Sequence, residues 1–195
     1  MENEEKVMTG EESLKIITDM INRTKINIGQ GSFHLIFWGW LVLFCSLAQI
    51  LISKFTSYHA PWNVWILTIP GVFVSLIYGF THGRKEEFHT YSERVFMMTW
   101  IGFVIVTFML ALFLHKNGEL MAQFILLAAG FPTFVSGFIL KFRPLVWGGI
   151  AFWVLSLAAY LAGPETGQFA VPLGMLLGYL VPGYMLRSRG SYDTI

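Results

Sequence analysis

The residues best suited to chemistry gather in one short segment, 81–94, which reads THGRKEEFHTYSER. It holds His82, Glu86, Glu87 and His89. On a helix His82 and Glu86 stand four apart and Glu86 and His89 three apart, so each pair shares a face. Imidazole and carboxylate at that spacing can hold a divalent cation. No third ligand follows in register, however, and solvated charge between two apolar stretches explains the same residues. No metal and no cofactor is therefore expected.

Other reactive constellations are missing. There is no Gly-x-Ser-x-Gly, no His-Glu-x-x-His, no Walker loop and no pair of aspartates within an apolar stretch. The polar residues set deep in apolar sequence are Gln49, Thr107, Gln123, Thr133, Ser136, Ser156 and Tyr160. Such residues usually bond one helix to the next, at about 0.6 kcal/mol each. His34 lies near the start of an apolar stretch and reads as an interfacial polar residue. A lipid-acting enzyme would need Gln123, Thr133 and His34 to converge. Without such a cluster, the chain is expected not to be an enzyme. Cys45 is the only cysteine, so no intrachain disulfide can form.

The elements that carry these residues follow from the distribution of charge. Charged residues make up 13% of the 195, where soluble domains carry about 25%. All 25 of them fall outside six stretches: 32–52, 62–80, 95–114, 120–140, 145–162 and 168–186. Each stretch is 18 to 21 residues long. About 20 apolar residues carry a helix across the hydrocarbon core of a bilayer. Spanning strands would alternate in polarity over about 10 residues, and these stretches do not. The expected fold is all-α and polytopic, a transmembrane domain of six helices over 32–186. It is preceded by a segment 1–31 and followed by a tail 187–195. The acidic start (Glu2, Glu4, Glu5) and the length of the first stretch argue against a signal peptide.

Bases set the orientation. Lys6, Lys15, Arg23, Lys25, Arg84, Lys85, Arg94, Lys141, Arg143, Arg187 and Arg189 lie on one side, and only Lys54 and Lys116 on the other. This bias of 11 to 2 predicts a cytoplasmic membrane with both termini in the cytoplasm. A net charge of +1 gives no field to recruit nucleic acid.

The even stretches end alike, in Leu76-Ile77-Tyr78-Gly79-Phe80, Phe134-Val135-Ser136-Gly137-Phe138 and Leu180-Val181-Pro182-Gly183-Tyr184. The odd ones begin alike, with Trp38-Gly39, Trp100-Ile101-Gly102 and Trp147-Gly148-Gly149. The spacings from Trp to the final Gly are 41, 37 and 36 residues. Three repeated helical hairpins explain the pattern. In lipid, helices associate by close backbone approach at small residues. Gly79, Gly137, Gly174, Gly178 and Gly183 are thus expected at helix-packing seams, with a homo-oligomer interface as the alternative. Pro70, Pro132, Pro172 and Pro182 each remove a backbone donor from an even stretch. They are candidates for kinks or for the lining of a cavity.

Before the first stretch, Thr9 and Glu12 fit a capping box. Leu14, Ile17, Ile21 and Ile28 then recur at helical spacing, with Met20 beside them. This predicts an amphipathic helix over 11–28, lying on the inner leaflet or docking on a partner, and a break at Gln30-Gly31. With its basic N-terminal helix and Trp-Gly hairpins, the chain resembles uncharacterised small six-span inner-membrane proteins of bacteria. Its layout is similar to the six-span acid-resistance membrane proteins. The resemblance covers 33–187 and implies a six-span inner-membrane fold, with no functional residue carried over.

The expected function is that of a non-enzymatic scaffold, stress-response or regulatory membrane protein. Its partners are the lipid bilayer, a cytoplasmic or membrane protein, and a second copy. His82, Arg84, Lys85, His89 and Arg94 belong to the expected partner surface. The alternative is a passive channel or transporter for a small neutral solute, lined by the even helices. Ion-coupled transport has less support, because such carriers usually keep an ionisable group at depth and the six stretches contain no Asp, Glu, Lys or Arg.

Overall fold

The computed structural model describes residues 10–56, 59–82, 91–114 and 120–192. Every regular element among them is helical. A backbone inside hydrocarbon must satisfy its own N–H and C=O groups, and a helix does so within one segment. Six helical segments are long and apolar enough to cross a membrane. Span 1 is Ser32–Phe55, span 2 Pro61–Thr81, span 3 Arg94–Leu114, span 4 Met121–Ile139, span 5 Arg143–Ala162 and span 6 Pro164–Ser188. The six charge-free stretches predicted six such helices.

Span 6 is the centre of the bundle, with 61% of its apolar stretch buried. Spans 1 and 5 pack directly on it, and span 4 packs along span 5. Spans 2 and 3 flank this group, span 2 against span 1 and span 3 against span 4. Their apolar stretches are 6% and 0% buried. Phe152, Leu126, Leu145 and Leu186 are the largest side chains fully enclosed by the bundle.

Three departures from ideal helix geometry shape the fold. Span 2 opens as a 3-10 helix, Pro61–Leu67, before the α-helix Thr68–His82. Pro70 is therefore the third residue of that α-helix, where a missing donor removes no interior bond. Span 6 is assembled from Pro164–Gly167, Ala170–Met175, a π-helical turn Leu176–Leu180 and Val181–Tyr192. Pro182 has no N–H to offer Gly178, and its ring crowds that carbonyl. A widened turn just before it relieves both problems, and the Val181 N–H donates to the Leu176 carbonyl instead. Between spans 4 and 5 the chain reverses in three residues. The Phe142 N–H donates to Gly137 O at 2.8 Å and the Lys141 N–H to Phe138 O at 3.1 Å. This is the Schellman closure, in which the residue after the cap turns left-handed. Here that residue is Lys141, at φ 50°.

The largest difference from the sequence reading lies at the N-terminus. A break was expected at Gln30-Gly31, yet one helix, α1, runs from Gly10 to Phe55. Helix growth is cooperative, and span 1 supplies a stable nucleus. Each glycine opposes its extension by only about 1 kcal/mol, which Gly29 and Gly31 together do not raise enough to end it.

Candidate functional site

The spans meet around Tyr179, on the π-helical turn of span 6. Its ring is 5% exposed. Its hydroxyl bonds with the side chain of Thr133 in span 4. Thr133 is fully buried and spends its own proton on the Ala129 carbonyl at 2.7 Å, so Tyr179 is the donor. The Phe152 ring of span 5 stands edge-on to Tyr179 at 5.1 Å between centroids. The Trp100 ring of span 3 lies tilted at 6.4 Å. From span 1, Gly39 leaves the space that Tyr179 and Leu180 occupy: a Cβ there would come within 3.2 Å of the Tyr179 Cβ. One tyrosine thus touches four other spans and bonds to one of them.

A second layer of polar contacts surrounds it. Trp100 Nε1 donates to Ser136 Oγ of span 4 at 3.2 Å. Trp38 Nε1 of span 1 donates to Ser75 Oγ of span 2 at 2.9 Å. Ser156 Oγ of span 5 donates to the Gln123 carbonyl of span 4 at 2.8 Å, and Trp153 Nε1 to Leu127 O at 3.1 Å. Near the opposite end, Trp65 Nε1 donates to Gln49 Oε1 at 2.5 Å. Thr107 Oγ1 is a buried hydroxyl with no partner among the described residues.

This arrangement is suited to holding helices together. Tyr179, Thr133 and Ser136 are all engaged, and no carboxylate or imidazole occurs in the charge-free stretches that carry them. His34 packs against the rings of Phe33 and Tyr78, between spans 1 and 2. Gln123 and Thr133 lie ten residues apart on span 4, about 15 Å at the helical rise. The convergence of Gln123, Thr133 and His34 that a lipid-acting enzyme would require is not what these contacts describe. Among the described residues no three metal-binding side chains come together.

The glycines divide. At Gly137 a Cβ would lie 2.6 Å from the Val146 backbone nitrogen, and at Gly183 3.0 Å from the Ile36 side chain. Gly174 and Gly178 both face Phe152, and a Cβ on Gly148 would strike the Gly178 carbonyl at 2.8 Å. All of these contacts lie within one chain. Gly79 differs: a Cβ there meets no described atom within 4 Å, so this glycine marks no seam among the described residues of the chain. Its motif resembles those of Gly137 and Gly183, but it sits on a flanking span that few neighbours approach.

The prolines divide as well. Pro132, Pro172 and Pro182 are buried in packed helix, whereas Pro70 is exposed on span 2. Of the expected partner surface, Arg94 is exposed at the start of span 3, and His82 closes the helix of span 2. Arg84, Lys85 and His89 lie outside the described residues.

Tyr179 escaped the sequence reading. A tyrosine in an apolar run does not announce its neighbours, and the π-helical turn that aims it has no composition of its own. The Trp–Ser bonds left a fainter signal: Ser75 and Ser136 follow Trp38 and Trp100 at 37 and 36 residues. Comparison with protein-family models, curated proteins and solved structures finds no match to this chain.

Proposed function

We propose that this chain is a non-enzymatic scaffold or regulatory protein of a bacterial cytoplasmic membrane, with both termini in the cytoplasm. One observation carries the reading: polar side chains between the spans are spent on helix–helix bonds, and the charge pattern of the sequence, which assigns 11 of 13 bases to one side, is in keeping with it. A membrane enzyme or coupled carrier would instead hold reactive or ionisable groups at depth. The basic end, formed by the N-terminal helix, the segment 81–94 and the tail from Arg187, is then the surface that meets a partner. The three-hairpin repeat rests on the shared Trp and Gly ends alone, because in its register Ser136 aligns with Tyr78 and the Trp38–Ser75 bond falls at a different step. In the third hairpin Pro182 takes the place of Ser136.

The passive channel draws less support. Of the four prolines expected as its lining, Pro132 and Pro182 are among the most enclosed side chains, Pro172 is buried and Pro70 is exposed. Purified protein in liposomes is expected to pass no small neutral solute over a broad panel. The scaffold reading is tested by deleting residues 2–28 and neutralising Arg84, Lys85 and Arg94. Associations detected by in-cell cross-linking should then disappear, and their full survival would refute the reading.

A further inference from the structure

The turn between spans 4 and 5 carries two cations, Lys141 and Arg143, on either side of Phe142. Both are exposed, while Phe142 is buried and pins the turn. The Lys141 and Phe142 N–H groups donate back to Phe138 and Gly137, which closes the backbone there. The two charges are thus carried on a fixed turn, and less freedom is lost when a ligand binds.

Nothing in this hairpin neutralises them. No Asp or Glu occurs from residue 120 to residue 164, and neither cation has an ion-pair partner among the described residues. The start of span 5 has no side-chain cap, so the helix dipole adds charge of the same sign. Lys141 also holds its left-handed backbone at φ 50°, where glycine would sit without strain. Strain of this kind on a surface turn points to a side chain with a use.

Span 5 shows which way the pair faces. Gly148 and Phe152 pack on span 6, and Leu145 is buried. Arg143 and Trp147 are four apart and share the opposite, exposed face. Trp147 is 68% exposed. An exposed tryptophan near the end of a span settles where hydrocarbon meets headgroups. Arg143 lies one turn further out, about 6 Å. The cations therefore stand at the level of lipid phosphates.

An anionic phospholipid suits this site. Its phosphodiester accepts paired bonds from a guanidinium and the point charge of an ammonium. A zwitterionic lipid would bring an ammonium of its own beside two cations, which repel it.

We propose that Lys141 and Arg143 bind the phosphate of an anionic phospholipid, in the leaflet at this end of the bundle. Its acyl chains run down past Trp147. The site requires only that the helices cross a bilayer, and it holds whether or not the chain is a scaffold.

The test uses the full chain with Cys45→Ala in phosphatidylcholine liposomes. A fluorophore on Phe138→Cys reports the site. Phe138 is exposed on span 4, and the contacts of Gly137 with Val146 and of Gly149 with Phe134 set it level with Leu145. A fluorophore on Met98→Cys is the reference. Met98 is exposed and follows Arg94 by four residues, but Arg94 adjoins Glu93. Phosphatidylglycerol or phosphatidylcholine with a nitroxide near the glycerol quenches each dye. At Phe138→Cys, half-quenching should need at least about fivefold less phosphatidylglycerol than phosphatidylcholine, the ratio for about 1 kcal/mol. At Met98→Cys the two lipids should be nearly equal. Lys141→Asn with Arg143→Gln should remove the preference at Phe138→Cys. Asparagine tolerates the left-handed backbone, so the turn is kept, and far-ultraviolet circular dichroism should match the parent. Equal quenching by both lipids at Phe138→Cys, the same preference at both reporters, or a preference that survives the double substitution would overturn the proposal. So would loss of the preference to excess inorganic phosphate at constant ionic strength, since the site would then take the free anion.

Discussion

Single atoms decide much of the packing here, because lipid offers no hydrophobic drive between helices. A methyl group at Gly148 would strike the Gly178 carbonyl, and backbone cannot step aside as a flexible side chain can. Gly148→Ala should destabilise the bundle by about 1–3 kcal/mol, the usual range for overpacking. Gly79→Ala meets nothing and replaces a poor helix former, so it should be neutral or stabilising by up to about 1 kcal/mol. Thermal unfolding of both variants in detergent micelles checks this contrast. Tyr179→Phe keeps the ring contacts and removes only the bond to Thr133. Its expected cost is about 0.6 kcal/mol and at most about 1.7. Tyr179→Ala should cost about 3–5 kcal/mol, because it empties the centre of the bundle as an aromatic truncation does. A larger loss for Tyr179→Phe than for Tyr179→Ala would show that packing is not the main role of this side chain.

Among the elements, the tightest connection carries an avoidable strain. Lys141 adopts a left-handed backbone to close span 4, a conformation that disfavours any residue with a Cβ by about 1–2 kcal/mol. Lys141→Gly should raise the stability of the protein by up to about 1 kcal/mol, since glycine also loses more freedom on folding. Denaturation in mixed micelles reads this directly, and a fall in stability would mean that the Lys141 side chain has a holding role. Span 6 presents the opposite case, where irregularity is built into the centre. Proline at 182 explains why the turn before it is wide, and the wide turn brings Tyr179 toward Thr133. The sequence contained this proline in plain view, but its consequence depends on which neighbours sit beside the freed carbonyl.

At the scale of the molecule, the charge bias predicts one arrangement in the membrane. With Cys45 replaced by alanine, a cysteine at Ser191 should react with a membrane-impermeant thiol reagent only after cells are permeabilised. A cysteine at His59, in the link between spans 1 and 2, should react in intact cells. The reverse pattern would invert the orientation and place the basic end outside. Spans 2 and 3 leave most of their surface outside the bundle, and substitutions among apolar residues there should be tolerated far better than in spans 4 to 6.

Much of this was legible before any coordinates. Uncharged runs of 18 to 21 residues specify helices that cross a bilayer, because length and transfer free energy are local properties of a sequence. The seams at Gly137 and Gly183 were legible too, since lipid favours close approach at small residues. The difference between Gly79 and those two was not, because exposure depends on which helix ends up at the rim. Nor was the unbroken α1, whose continuity past Gly31 is a contest between a local glycine penalty and the stability of a whole span. The sequence by itself determined the helical class and the number of helices long and apolar enough to span a membrane. Only the tertiary structure decided that span 6 lies at the centre, that Tyr179 joins five spans, and which glycines face a neighbour. Those outcomes depend on contacts between residues far apart in the chain, for which one-dimensional spacing holds no record.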